Sequence, residues 1–172
     1  AYLNLAIEAF YKALGLAEQS NDPVETANAM GSIALANLYM REYETAISYY
    51  LRQEKILKER NDLYELGKTY TGLGEAYNAL HDYPKALEYH MNSLTISHKI
   101  KFLPSISNSL QNTGFTYYLM HDSADKALKY VRQAMKINRD ISNYTKMADN
   151  YLLSGKIHLV KKSSVPAAYK SY

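Results

Sequence analysis

The chain of 172 residues contains no cysteine, which excludes disulfides and thiolate metal sites. It has no run of apolar residues long enough to cross a bilayer, and no basic-then-apolar leader opens it. Neither sign of charge dominates: 20 Lys and Arg are interspersed with 17 Asp and Glu, for a net charge of +3. Nucleic-acid binders concentrate basic residues on a face or stripe. The densest basic cluster here, Lys161-Lys162, reads instead as a solvated helix end. The motifs His-Glu-x-x-His and Gly-x-Ser-x-Gly are missing as well. Gly67-Lys68-Thr69 looks like the end of a phosphate-binding loop, but Asp62 stands where that loop needs its first glycine, and no strand precedes it. His81 and His121 fall in equivalent turns of neighbouring units, about 10 Å apart for stacked helices, too far to share one zinc. The expectation is a non-enzymatic chain with no cofactor, no metal, no direct nucleic-acid contact and no membrane contact by this segment.

What is present is a repeat. Ala6, Ala46 and Ala86 stand 40 residues apart and Ala127 follows after 41; Ala34, Gly74, Gly114 and Gly155 keep the same spacings. The extra residue falls in HDSADKAL, compared with HDYPKAL, at a turn, where an insertion costs least. Apolar residues recur at three- and four-residue steps, as in Leu73, Ala76, Tyr77 and Leu80, and strand-like alternation is nowhere sustained. Asp22-Pro23, Asp82 ahead of Tyr83-Pro84, Asn61-Asp62 and Ser142-Asn143 offer helix starts. The pattern predicts helices over 2–19, 23–40, 43–60, 63–80, 83–100, 104–120, 124–140, 144–161 and 165–172, each full one about 27 Å long.

Residue size explains the spacing. Gly74 and Ala86 lie on the first and second helix of one unit, where small side chains let the backbones approach. Ala13, Ser93 and Ala134, seven residues beyond marker alanines, would do the same against the next unit. Phe10, Tyr50, His90 and Val131 fill one equivalent position; Tyr77, Tyr117 and His158 fill another. Tyrosine numbers 18, and rings interleaved with basic groups can stack nucleic-acid bases, but the repeat gives most of these a packing role.

Leu73-Gly74, Tyr77, Tyr83, Ala86, His90 and Ser93 follow the pattern of the tetratricopeptide repeats, and Gly114, Tyr117, Ala127 and Ala134 repeat part of it. The chain resembles that family over nearly its whole length. The period is longer than the usual 34 residues, Arg41, His81 and His121 replace the turn glycine, and Asn37 stands where Tyr is usual. The 40-residue form looks like the variety found in bacterial signalling proteins, including peptide-pheromone receptors and sensor regions. The resemblance implies an all-α fold, a right-handed superhelix (α-solenoid) of antiparallel helix pairs. It forms a single domain, 1–172. Residues 1–20 are the second helix of a truncated repeat; 23–60, 63–100 and 103–140 are full repeats, and 143–172 a partial last one.

In this family the first helix of each pair lines a concave groove. Carried over by position, the candidate ligand-binding residues are Asn28, Leu35 and Leu38; Lys68, Thr71, Glu75 and Asn78; Asn108, Gln111, Asn112, Phe115 and Tyr118; and Asp149 and Lys156. Amides carry a donor and an acceptor side by side, matching a peptide backbone, and Leu38, Phe115 and Tyr118 could supply apolar pockets. The alternative for this face is a solvated surface whose amides meet only water. The paired cations that grip chaperone tails survive only in fragments: the corresponding pairs are Asn28/Ser32, Lys68/Gly72, Asn108/Asn112 and Asp149/Leu153.

The implied function is a protein- or peptide-binding scaffold, the sensory or regulatory region of a larger bacterial signalling protein, including transcriptional regulators. It would act by population shift, a ligand in the groove favouring one solenoid pitch over another. Alternatives are a free-standing assembly adaptor using its convex face or ends, and, more remotely, a small-molecule receptor or enzyme. Marker Ala6 belongs to a second helix, and the C-terminus stops at Ala167-Ala168-Tyr169, early in another. That register predicts a segment of a longer protein, capable of self-association through open ends. The cytoplasm is the expected compartment, with a periplasmic sensor region as the alternative.

Overall fold

The computed structural model describes residues 2–121 and 123–163, with side chains over 5–121 and 123–162. Among these residues there are eight helices and no strand: α1 (Tyr2–Gln19), α2 (Pro23–Tyr39), α3 (Tyr43–Arg60), α4 (Leu63–Ala79), α5 (Tyr83–Lys99), α6 (Leu103–Leu119), α7 (Ala124–Asp140) and α8 (Tyr144–Ser163). The fold is all-α helical repeat, as the 40-residue pattern requires. The expected helix over 165–172 and the Ala167-Ala168-Tyr169 stretch lie outside the described residues.

Start signals act where the sequence places them. The Asp22 carboxylate accepts from the N–H groups of Val24 (2.9 Å) and Glu25 (3.2 Å), with Pro23 opening α2. Asp62 accepts from Glu65 N–H (3.2 Å), Asp82 from Lys85 N–H (3.3 Å) and Asn143 from Lys146 N–H (3.2 Å). Each satisfies a first-turn donor that the helix itself leaves unpaired.

Stop signals recur too. Asn21, Arg41, Asn61, His81, Lys101, His121 and Ser142 all have φ between 51° and 64°. This left-handed conformation closes a helix and costs an L-residue roughly 1–2 kcal/mol, less for Asn. Arg41→Gly is therefore expected to raise stability by about 0.5–1 kcal/mol, and Asn21→Gly by less. Urea denaturation of the two variants beside the parent checks both.

The chain forms two compact units, residues 1–100 and 101–172. In the first, α1 packs on α2, α2 on α3, α3 on α4 and α4 on α5, while α2 also touches α4. Its core holds Ala34, Ala46, Tyr50, Leu57, Leu66, Leu73 and Ala76, with Leu14, Ala29, Met30 and Ile33 gathered beneath α1. In the second, α6 packs on α7 and α7 on α8, around Ala127, Leu128, Val131, Leu153 and Ile157. Ala46, Ala86 and Ala127 are fully buried, as the marker series requires.

The tyrosine rings mostly pack. Tyr77 stacks on Tyr89 with centroids 5.5 Å apart, and Lys85 Nζ sits 5.0 Å from the Tyr77 centroid. The second unit repeats the arrangement with Tyr117 on Tyr130 at 5.6 Å and Lys126 at 5.5 Å. Four positions depart from expectation. Ser93 Oγ donates to Gly67 O (2.9 Å) on α4, so the position seven beyond the marker meets the first helix of its own pair. Ala13 is exposed on α1. Gly155 and His158 are exposed on α8, and open space surrounds the Cβ position of Gly155.

Candidate functional site

The first unit contains an open cleft of about 410 Å³ between α2 and α4, floored by α3. Its two walls are the same helical face written twice. Asn28, Gly31, Ser32 and Leu35 line it from α2; Lys68, Thr71, Gly72 and Glu75, 40 residues on, line it from α4. Steps of three, four and seven residues keep each set on one side of its helix. Glu65 and Thr69 extend the α4 wall, and Tyr50 and Gln53 rise from α3.

Five of the seven expected groove residues in this unit, Asn28, Leu35, Lys68, Thr71 and Glu75, therefore line one cleft. Leu38 is half-buried and packs against the core below it. Asn78 is a correction. It is 8% exposed, with its Nδ2 3.3 Å from His90 Nε2, because the last turn of α4 rotates this side chain onto α5. Sequence reasoning missed the floor. By sequence Tyr50 reads as packing alone, and Gln53 stands where the other repeats have Ala13, Ser93 and Ala134.

The cleft's polar groups are partly committed. Lys68 Nζ pairs with Glu65 at 2.9 Å and lies 5.5 Å from the Tyr64 ring centroid. Thr71 Oγ1 lies 3.2 Å from Gly67 O and 3.0 Å from Ser93 Oγ. Ser32 Oγ donates to Asn28 O (3.0 Å). Burial, then the neighbouring Glu75 charge, then Tyr39, push the Tyr50 phenol well above its ordinary range, so it stands as a neutral hydroxyl. Such a surface can hydrogen-bond and exclude water over a short segment. None of its groups is arranged as a nucleophile with a base.

In the second unit the same face recurs on α6 as Asn108, Gln111 and Asn112, all half-buried, with Phe115 exposed. Gln111 Oε1 is buried without a hydrogen-bond partner among the described residues. Phe115 and Tyr118 rings lie 6.1 Å apart. Asp149 and Lys156 stand exposed on α8, Asp149 within 3.8 Å of Lys146 Nζ. His81 and His121 are engaged locally, Nδ1 of His81 lying 2.8 Å from the Tyr83 hydroxyl and the His121 ring 6.3 Å from that of Tyr118. Among the described residues no helix is long and apolar enough to cross a membrane.

Residues 65–140 match the sequence profile of the tetratricopeptide repeat family. Solved structures share the fold. The apo form of RapI superposes with a TM-score of 0.83 at 20% identity, over 94% of this chain and 45% of that one. A signal-transduction ATPase with numerous domains and a tetratricopeptide repeat sensor, from Pyrococcus horikoshii, gives 0.78 at 21% identity, over 92% and 24%. A Rap protein complexed with competence and sporulation factor gives 0.72 at 16% identity, over 92% and 50%. The chain thus spans half or less of the length of each of these proteins.

Proposed function

For a chain that folds as tetratricopeptide repeats, a protein-interaction scaffold, we propose that its ligand is an extended peptide or a partner helix taken up along the inner faces of the first helices, and that it is the sensory or regulatory region of a larger bacterial signalling protein. The observation that carries this reading is the α2–α4 cleft, walled by two copies of one face. Binding that bridges α2 and α4 favours one spacing of these helices over another, which is how a ligand here would reach a regulatory partner. RapI and the sensor-bearing ATPase lend support as neighbours in fold.

The test is a displayed library of random 12-residue peptides panned against the whole chain, with recovered peptides remade and titrated by fluorescence polarisation. Asn28→Ala with Lys68→Ala is expected to weaken binding at least about tenfold, since groups that close a buried contact carry most of its energy. For peptides seated on α6, Asn108, Gln111 and Asn112 changed together to Ala should abolish binding while leaving the helical circular-dichroism signal intact. Affinity unchanged in both variants would move the site to the convex face or the ends.

A further inference from the structure

One pair of positions breaks the repeat in a compensated way. In the second repeat, Thr71 on the first helix meets Ser93 on the second, Oγ to Oγ, at 3.0 Å. Forty residues earlier the pair is Gly31 and Gln53. The long side chain is admitted by deletion of the one opposite: a Cβ at Gly31 would stand 3.0 Å from Gln53 Cδ. One turn earlier on α3, the Tyr50 ring lies over Gly72, where a Cβ would stand 2.6 Å from the phenol oxygen. Glycine inside a helix is destabilising relative to alanine, and two of them here make room for two polar side chains.

Both residues are 5% exposed, yet both line the cleft. Gln53 Oε1 accepts from Thr69 Oγ1 at 3.0 Å, which turns the Nε2 end toward Gly31. Gln53 Nε2 and Tyr50 Oη have no hydrogen-bond partner among the described residues, and neither is sealed from solvent. Two donors three residues apart on a helix stand about 5–6 Å from one another at Cβ. Open to the cleft, both donors can pair with water until a ligand acceptor takes its place. The nearby charges argue against an anion: Lys68 is matched by Glu65, and Glu75 places negative charge in the wall.

We infer that this cleft seats a neutral amide carbonyl on Gln53 Nε2 and Tyr50 Oη, offered either by an Asn or Gln side chain or by the main chain of an extended segment. The inference rests on the peptide reading above and names the group that the floor selects. A carboxylate or phosphate would meet Glu75, and an aliphatic side chain would leave both donors without partners.

The panned 12-residue peptides supply the probe. Tyr50→Phe and Gln53→Met keep the shape and remove the donors; each is expected to weaken peptide binding about tenfold or more. If the carbonyl is a side chain's, Asn or Gln recurs at one peptide position, and changing it to Asp or Glu costs as much. If it is the main chain's, no side chain recurs, and a thioamide at one peptide bond produces the loss. Equal binding by parent, Tyr50→Phe and Gln53→Met overturns this inference; the peptide reading still stands if the Asn28→Ala, Lys68→Ala variant loses affinity. Preference for Asp or Glu at the selected position overturns it too. Recovery of no peptide sinks both. Should Gln53→Met fail to fold, the side-chain NH₂ resonance of ¹⁵N-labelled parent protein decides: it moves on peptide addition if Gln53 binds, and a fixed resonance refutes the assignment.

Discussion

Gly74→Ala is expected to lower stability by about 2–3 kcal/mol, although alanine is the better helix former by about 1 kcal/mol. The reversal comes from His90. A Cβ at residue 74 would stand 2.5 Å from His90 Nδ1 and 2.7 Å from Nε2. The imidazole is fully buried and held beside Asn78, so it has nowhere to withdraw. Inserting a methyl into such a site forces the α4 and α5 backbones apart. Gly15→Ala is the control. It also lies within a helix, but nothing lies within 4 Å of its Cβ position, and it should gain about 0.5–1 kcal/mol. Urea melts of the two variants should therefore move in opposite directions. His90→Ala combined with Gly74→Ala should recover part of the loss, and a double-mutant cycle measures how much. If Gly74→Ala stabilises as Gly15→Ala does, the α4–α5 contact has room for a methyl group and His90 does not set the approach.

Acid should unfold this chain earlier than its exposed charges suggest. Burial holds the His90 imidazole down at about 4, against 6.5 for the free side chain, because the charged form would lose its hydration. Its Nδ1 is buried with no hydrogen-bond partner among the described residues. Above about 6.5 the ring is neutral whether folded or unfolded, and stability is undiminished. Between 6.5 and 4 only the unfolded chain takes up the proton, so stability falls as pH falls. The total is about 3 kcal/mol, from roughly 1.4 kcal/mol per unit. Asp82 and Asp125, held below the ordinary carboxylate range by hydrogen bonds from Lys85 and Lys161, act beneath this window. His90→Val, using the residue found at equivalent position 131, should flatten the dependence of urea stability on pH between 6.5 and 4. A slope unchanged by that substitution would assign the acid sensitivity elsewhere.

Apolar periodicity and start signals located the eight described helices to within one or two residues, and the paired small-residue series gave the repeat, because a close helix approach constrains size at fixed intervals. The turns were legible for a similar reason: Asp22, Asp62, Asp82 and Asn143 are residue types whose side chains satisfy backbone donors. The period crosses residue 100 unbroken, Gly74 to Gly114, so the division after Ile100 left no mark in the spacing. Register alone put Asn28, Lys68, Thr71 and Glu75 on the cleft. It failed at Asn78, since periodicity gives an angle around a helix and not the depth of what lies opposite. It failed at Gln53 for another reason: the residue violates the series, and a violation is legible only alongside its compensation at Gly31.

The same exchange sets a limit on engineering. Repeat proteins are readily made more regular by averaging their units, and averaged sequences are commonly more stable. Averaging these repeats would write alanine or serine at position 53, as at 13, 93 and 134, and would give residue 31 a side chain, as at 71 and 111. The product would keep its helices and its turns. It would have exchanged the two-donor floor of its cleft for ordinary interior packing, so the most stable version of this molecule is expected to be the one least able to read its partner.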